Sequence, residues 1–376
     1  MKKIAVAFTA LAAVGAVALA GCGGGSSSST TSAAGGDTTS AAAGGFEAGA
    51  TIGISLPQKT SQNWVEAEQM FNEGLKAAGY NPVVQFANNG ASEQQSQIES
   101  MIQQGAKVIV IGAVDGSQLS TQVENAQSQG VKVIAYDRLI KETKAVDLYV
   151  AYDNEKVGEL QGQALLEGLA ARKGSGPYNI ELIAGSNDDA NSKPFFEGAM
   201  SVLQPKIDDG TLKILSGQTT QDKVATEGWD PAKVQTRMDA IISGFYKSEP
   251  LDGILSPNDT LGRAAIQSAT DAGLDTPVVT GQDSEDESVT SVAEGKQYQT
   301  IYKDTRGLVD AVLKQIELAK DGKAFESNGS ANNGTIDVPA DYLTPVSVTQ
   351  ANILQAYAND ATRLKLAEAS CTDACK

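Results

Sequence analysis

Between residues 51 and 280, short apolar runs alternate with longer amphipathic ones. Residues 51–56 (TIGISL) form a run of strand length. Trp64, Ala67, Phe71, Leu75 and Ala78 then recur at helical spacing up to Gly79, a residue suited to a helix stop. The alternation continues with a strand at 83–86 and a polar helix carrying Ile98, Met101 and Ile102. A strand at 108–111, a helix at 119–129 and strands at 131–136 and 148–151 follow, with Gly105 and Gly130 closing helices. Helix then precedes strand four more times: 159–169 with 178–183, 195–203 with 212–217, 232–245 with 253–255, and 261–272 with 277–280. Repeated strand–helix units predict parallel sheets covered on both faces. Two successive sets predict an α/β protein of two doubly wound, Rossmann-like lobes with a crevice between them. Ligands of such sheets bind beyond the carboxyl ends of the strands.

The first 50 residues do not share this pattern. Lys2 and Lys3 precede an apolar run from Ile4 to Ala20, which ends in Leu19-Ala20-Gly21-Cys22. A basic start, a short apolar stretch and small residues at a cut make a secretory signal over 1–21, and the run is short for a membrane span. A cysteine directly after Leu-Ala-Gly resembles the lipoprotein signal of bacteria. That resemblance implies diacylglycerol on the Cys22 thiol and a mature chain that begins there. Residues 22–50 are mostly Gly, Ser, Thr and Ala, too poor in apolar surface to fold. As a Gly-rich coil they predict a tether with a reach of about 30 Å.

Charge and composition narrow the chemistry. The chain has 29 basic and 46 acidic residues and no histidine. Losing 1–21 removes two lysines and leaves a net charge of −19 from −17, which disfavours nucleic acid. Without histidine, Ser-His-Asp and Cys-His catalysis are excluded and the commonest zinc ligand is absent. Cys371 and Cys375, spaced C-x3-C, suit a small disulfide outside the cytoplasm; as a metal site they would lack further ligands.

Nearly every strand is followed by Asp, Asn, Gln or Arg. Asp137-Arg138, Asp188-Asp189-Ala190-Asn191, Asn258-Asp259 and Gln282-Asp283 stand at such positions, and the only two tryptophans, Trp64 and Trp229, lie near these loops. This mixture suits a sugar, whose hydroxyls donate and accept and whose C–H faces stack on aromatic rings. Asp and Asn after strands also serve as helix caps. Asp115, beside Gly116, and Asp188 fit that role, and most of DSEDE at 283–287 fits a solvated helix start.

Seven ordered segments make the pattern specific: VKVIAYDRLI, AYDNEKVGELQ, GSNDDANSKPFFEGAMSVLQP, GWDPAKVQTRMDAI, LSPNDTLG, VVTGQDSE and YQTIYKDTR. Together they resemble the type I periplasmic-binding-protein family over about 51–357, nearest its multiple-sugar-binding and xylose-binding members. The resemblance implies an α/β fold of two lobes joined by a three-strand hinge, with lobe one at 51–153 plus 304–335 and lobe two at 154–303 plus 336–370, followed by a tail at 371–376. The three crossings are expected near Asn154, near Lys303 and around Gly334. It implies no catalysis, cofactor or metal, a monosaccharide ligand, ABC-transporter permease subunits as partners, and a monomer touching the membrane through its anchor alone. Carried over position by position, the ligand contacts are Trp64, Asp137, Arg138, Asn191, Trp229, Asn258, Asp283 and Lys303. Lys59, Asn63, Asp115 and Asp189 form a second tier. Asn63 departs from the family, which often carries Arg there, and Lys193 and Pro194 stand where close relatives have aromatic residues.

Three other functions compete. A sugar-active hydrolase needs paired carboxylates, which the crevice offers, but Arg, Asn and Lys partners suit ground-state binding. A repressor with the same two lobes needs an N-terminal DNA-binding motif where this chain has a leader and tether. A sugar sensor for a membrane receptor fits the same residues as a transport protein.

Overall fold

A computed structural model describes residues 44–59, 61–88 and 90–375. The expected leader, Cys22 and the tether as far as residue 43 lie outside them. The strands are β1 (Thr51–Leu56), β2 (Asn81–Phe86), β3 (Val108–Ile111), β4 (Lys132–Tyr136), β5 (Leu148–Tyr152), β6 (Tyr178–Leu182), β7 (Leu212–Lys213), β8 (Gly253–Leu255), β9 (Val278–Val279), β10 (Gln299–Tyr302), β11 (Gly329–Asn332), β12 (Asp337–Leu343) and β13 (Val346–Thr349).

Lobe one is built on a seven-stranded sheet of order β11-β12-β5-β4-β3-β1-β2, parallel except for the β11–β12 hairpin. Its strands read as near-continuous apolar runs because both faces are covered. Val108 and Val110 of β3 point into one core with Ile52, Ile54 and Phe71. Ile109 and Ile111 point into the other with Met101 and Val123. Lobe two has a parallel sheet of order β7-β6-β8-β9 and an antiparallel pair, β10–β13. Backbone bonds from Tyr298 to Val279 and between Ile301 and both Gly281 and Asp283 join the pair to the segment after β9.

Two boundaries differ from expectation. The chain leaves the seven-stranded sheet after β5 at Asn154 and the antiparallel pair after β10 at Lys303, and Gly334 is not a crossing. Gly334 (φ 93°) turns the β11–β12 hairpin, and Tyr342 of β12 pairs with Ala151 of β5. Residues 337–343 therefore complete lobe one, and the crossing lies between Leu343 and Val346. The Asn-Asn-Gly sequence at 332–334 is turn chemistry rather than a hinge. The tether also ends earlier than residue 50. Phe46 donates its N–H to the Lys320 carbonyl at 3.1 Å and packs on Tyr80, so 45–50 are docked on lobe one.

Beyond β13, the helix Ala361–Ser370 buries Ala367 with Val289, Val292 and Ile353 of lobe two. Cys371 and Cys375 are disulfide-bonded just after it.

Candidate functional site

The carboxyl ends of both sheets face one narrow chamber with a free volume of about 30 Å³, well below the roughly 300–1,000 Å³ of open ligand sites. Lobe one supplies Ser61, Asn63, Trp64, Asp137 and Arg138; lobe two supplies Asp189, Asn191, Phe195, Trp229, Asn258, Gln282 and Asp283, and Lys303 comes from a crossing. A larger open groove lies at the amino ends of the lobe-one strands, between residues 44–50 and Lys107, Lys132 and Phe325. That groove lacks the converging buried polar groups of the chamber, so the chamber is the candidate site.

Lys303 is the charged centre. Its ammonium lies 3.1 Å from Asp283 and 3.8 Å from Asp137, and 5.6 Å from the Phe195 ring centre. Burial pulls this ammonium down, but Asp283 and Asp137 outweigh it and hold Lys303 above the ordinary lysine value. Burial pushes the Asp283 carboxyl up, Lys303 draws it back, and Glu285 and Asp137 add to the rise. Both shifts point upward, Lys303 because its carboxylates outweigh burial and Asp283 because burial foremost outweighs Lys303.

A second buried pair fixes the aromatic walls. Arg138 Nε lies 2.9 Å from Asp189 Oδ2, Arg138 Nη1 donates to the Ala113 carbonyl, and the guanidinium sits 5.2 Å from the Trp64 ring centre. Trp229 Nε1 donates to the same Asp189 oxygen at 3.1 Å. Burial raises Asp189, against the pull of Arg138. With its polar edge held by Asp189, the Trp229 ring presents an apolar face. Gly185 allows the close seat of Trp229, since a Cβ there would lie 2.2 Å from the indole.

Backbone strain converges here. Asp137 (φ 61°), Trp229 (φ 54°), Asp283 (φ 91°) and Ser284 (φ 51°) are four of the five non-glycine residues with positive φ among those described. Such conformations persist where the surroundings over-determine them, and they cluster at ligand clamps.

Some expected contacts are spent on the protein itself. Asn191 donates to the Asp137 carbonyl at 2.9 Å and accepts from Asn154 at 2.9 Å, so it ties the two lobes together. Asn258 Oδ1 caps the helix Asp259–Asp271 by accepting from Leu261 N–H, leaving its amide nitrogen for the chamber. In contrast, Asn63 Oδ1 and Gln282 Oε1 are buried without any hydrogen-bond partner. Buried acceptors of that kind are costly unless a ligand donates to them.

All eight primary candidates and the second-tier Asn63 and Asp189 line the chamber. Lys59 does not: it pairs with Glu68 at 3.0 Å and lies over the Phe86 ring. Asp115 does not either, because its carboxylate accepts from Ser117 N–H and hydroxyl as a turn cap. Phe195, Gln282 and Ser61 went unforeseen. Phe195 supplies the aromatic wall that Lys193 and Pro194 lack, and its signal was the Phe195-Phe196 pair directly after them; Lys193 points outward to Glu197.

A chamber of this kind between two doubly wound lobes defines a solute-binding protein, and comparison with known proteins gives the family. Residues 52–324 match the periplasmic binding protein domain, and the chain belongs to that family. It is 43% identical over 309 residues to the multiple sugar-binding periplasmic receptor ChvE of Rhizobium radiobacter, covering 80% of this chain and 87% of the relative. It is 33% identical over 303 residues to the D-xylose-binding periplasmic protein of Escherichia coli, covering 80% and 87%. The fold superposes with a TM-score of 0.79 on an ABC transporter solute-binding protein from Clostridium phytofermentans with bound β-D-glucose, at 35% identity, covering 84% of this chain and 99% of the other.

Proposed function

We propose that the protein captures a monosaccharide, an aldopentose or aldohexose, between its lobes and delivers it to the permease of an ABC transporter, while Cys22 carries a lipid that holds it on the outer face of the cell membrane. The observation that carries this reading is the chamber: two tryptophan faces, the Lys303, Asp283 and Asp137 group, Arg138, and unpartnered acceptors at Asn63 and Gln282. Hydroxyl groups satisfy such a mixed set of donors and acceptors, and the apolar faces of a sugar ring suit the indoles. The ligands and roles of the relatives support the same reading. Sugar docks on one lobe, hinge closure adds the contacts of the other, and no bond is broken. Asp137, Arg138, Asp283, Lys303 and Asn258 bind hydroxyls and the ring oxygen, Trp64 and Trp229 stack, and Asn191 braces the closed lobes.

A thermal-shift screen of the full chain with glucose, galactose, arabinose, xylose, ribose and fructose tests the proposal. At least one should raise the melting temperature, as binding to the native state requires. No shift with any of them would sink the monosaccharide reading.

A further inference from the structure

A second set of contacts crosses between the lobes without entering the chamber. Arg363, on the C-terminal helix of lobe two, is buried and uses three faces of its guanidinium. Nε donates to the Ser284 carbonyl at 2.7 Å, Nη1 to Asp360 at 3.1 Å, and Nη2 to both Glu66 carboxylate oxygens at 3.0 and 3.1 Å. Glu66 belongs to lobe one, in the helix Gln62–Ala77 that carries Trp64. One turn earlier Gln62 donates to Glu66 at 2.8 Å and accepts from Asp286 N–H at 2.9 Å.

The two ends of this bridge sit directly behind ligand residues. Glu66 lies two positions beyond Trp64, and Ser284 follows Asp283 in the left-handed pair of the turn. Arg363 is fixed to lobe two whether or not Glu66 is present, because Asp360 and the Ser284 carbonyl hold it there. Its helix packs on lobe two through Ala367, and the tail behind it is held by the Gln350 to Thr372 bond. Asp360 and the Ser284 carbonyl form the lobe-two side of the socket, and Glu66 is the partner that lobe one supplies. A planar guanidinium serves three separate acceptors, which an ammonium on a flexible stem does not.

We infer that Arg363 is a positioning residue and, with Glu66, a latch that fastens the Trp64 helix to the Asp283 turn in the closed protein. The inference rests on the cleft being the ligand site. Neither residue lines the chamber, so the latch scales affinity for every ligand alike and selects none. A contact made only in the closed state lowers the dissociation rate and raises the closed population.

Glu66→Gln and Arg363→Lys in the full chain test it; the first keeps shape and the second keeps charge. Each should weaken every sugar that binds by one common factor of about tenfold, through faster dissociation with association unchanged. Each should also enlarge the radius of gyration of the sugar-free protein in small-angle scattering, with a single cooperative unfolding transition retained. Losses differing between sugars by more than about threefold would place Glu66 or Arg363 in ligand recognition and overturn the latch, as would unchanged affinity and scattering. If the wild-type chain binds no sugar, the monosaccharide reading fails, and the scattering of the sugar-free proteins decides the latch.

Discussion

Lobe one closes its sheet over hydrocarbon and a few amides, Gln94, Gln315 and Asn333 among them, whereas lobe two buries carboxylates inside its own. β1, β3, β4 and β5 alternate their apolar side chains between two cores, and the main buried polar group among them is Ser55, which bonds to Gln97. In lobe two, fully buried Asp259 accepts from Gln297 Nε2 at 2.7 Å, the Thr300 hydroxyl at 2.9 Å and Glu285 N–H at 3.0 Å. Glu181 accepts from Ser216 and Tyr246 hydroxyls in the same way. Strand length explains the difference. β7 and β9 are two residues long, so their backbone ladders are short and side-chain bonds do the joining. The Asp259 bonds tie the 281–285 turn to β10, the two segments that end in Asp283 and Lys303. Lobe one therefore rests more on apolar packing, and lobe two carries most of the strained, polar site residues on stitching that can be cut.

The sharpest break of that comparison is Asp259→Ala. It strands three buried donors, each costing about 1–3 kcal/mol, so denaturant unfolding should show a loss of roughly 3 kcal/mol or more. Ser55→Ala in lobe one should cost about 1 kcal/mol. Equal losses would mean that both lobes rest on apolar packing alone.

Next in size is the loss of ligand affinity. Asp283→Ala leaves Lys303 with Asp137 alone, and Arg138→Ala strands the buried Asp189 carboxylate that holds Trp229. By calorimetry each should weaken sugar binding by roughly 2–5 kcal/mol. If only the lobe-two change matters, the lobe-one wall holds no ligand and acts merely as a lid.

This contrast also sets how much was legible in the sequence. In lobe one the apolar runs were long enough to mark each strand, and β1 and β3 match residue for residue. In lobe two the expected strand at 212–217 shrinks to Leu212–Lys213, and β10 with β13 was not foreseen. Their pairing joins residues about fifty apart and is supported by Gln297, Gln299 and Thr300, which read as surface in a sequence. Residues at strand ends were legible because a parallel sheet points them at the cleft. Lys59 lies outside the chamber and Asp115 is the cap it was also read as, because a charge near a strand end has the same pattern whether it meets a ligand, a neighbour or a backbone N–H. Glu66 and Arg363 gave no signal: they lie 297 residues apart, and each looks like a solvated helix charge.

The smallest effect is a pH dependence that separates binding from folding. Burial foremost, with Glu285 and Asp137, raises the Asp283 carboxyl above the ordinary range near about 4, despite Lys303. Ionised Asp283 accepts ligand hydroxyls, and protonation removes that acceptor. Affinity should therefore fall as pH drops through the raised value, by at most about tenfold per pH unit. Stability responds with the opposite sign. A carboxyl raised on folding contributes stability that is fully present below its unfolded value and lost as pH rises through the folded one. Protonating Asp283 thus does not unfold the chain. Asp360 shows the reverse case. Burial would raise it, but the Arg363 N–H and guanidinium bring it below the ordinary value. Its contribution is present above the ordinary carboxylate value and disappears only as pH falls through the depressed one. As pH falls from the raised Asp283 value to the ordinary carboxylate range, affinity should decline while the melting temperature of the sugar-free protein holds or rises. Affinity and melting temperature falling together would place the acid-sensitive groups in the fold of lobe two rather than in its ligand turn.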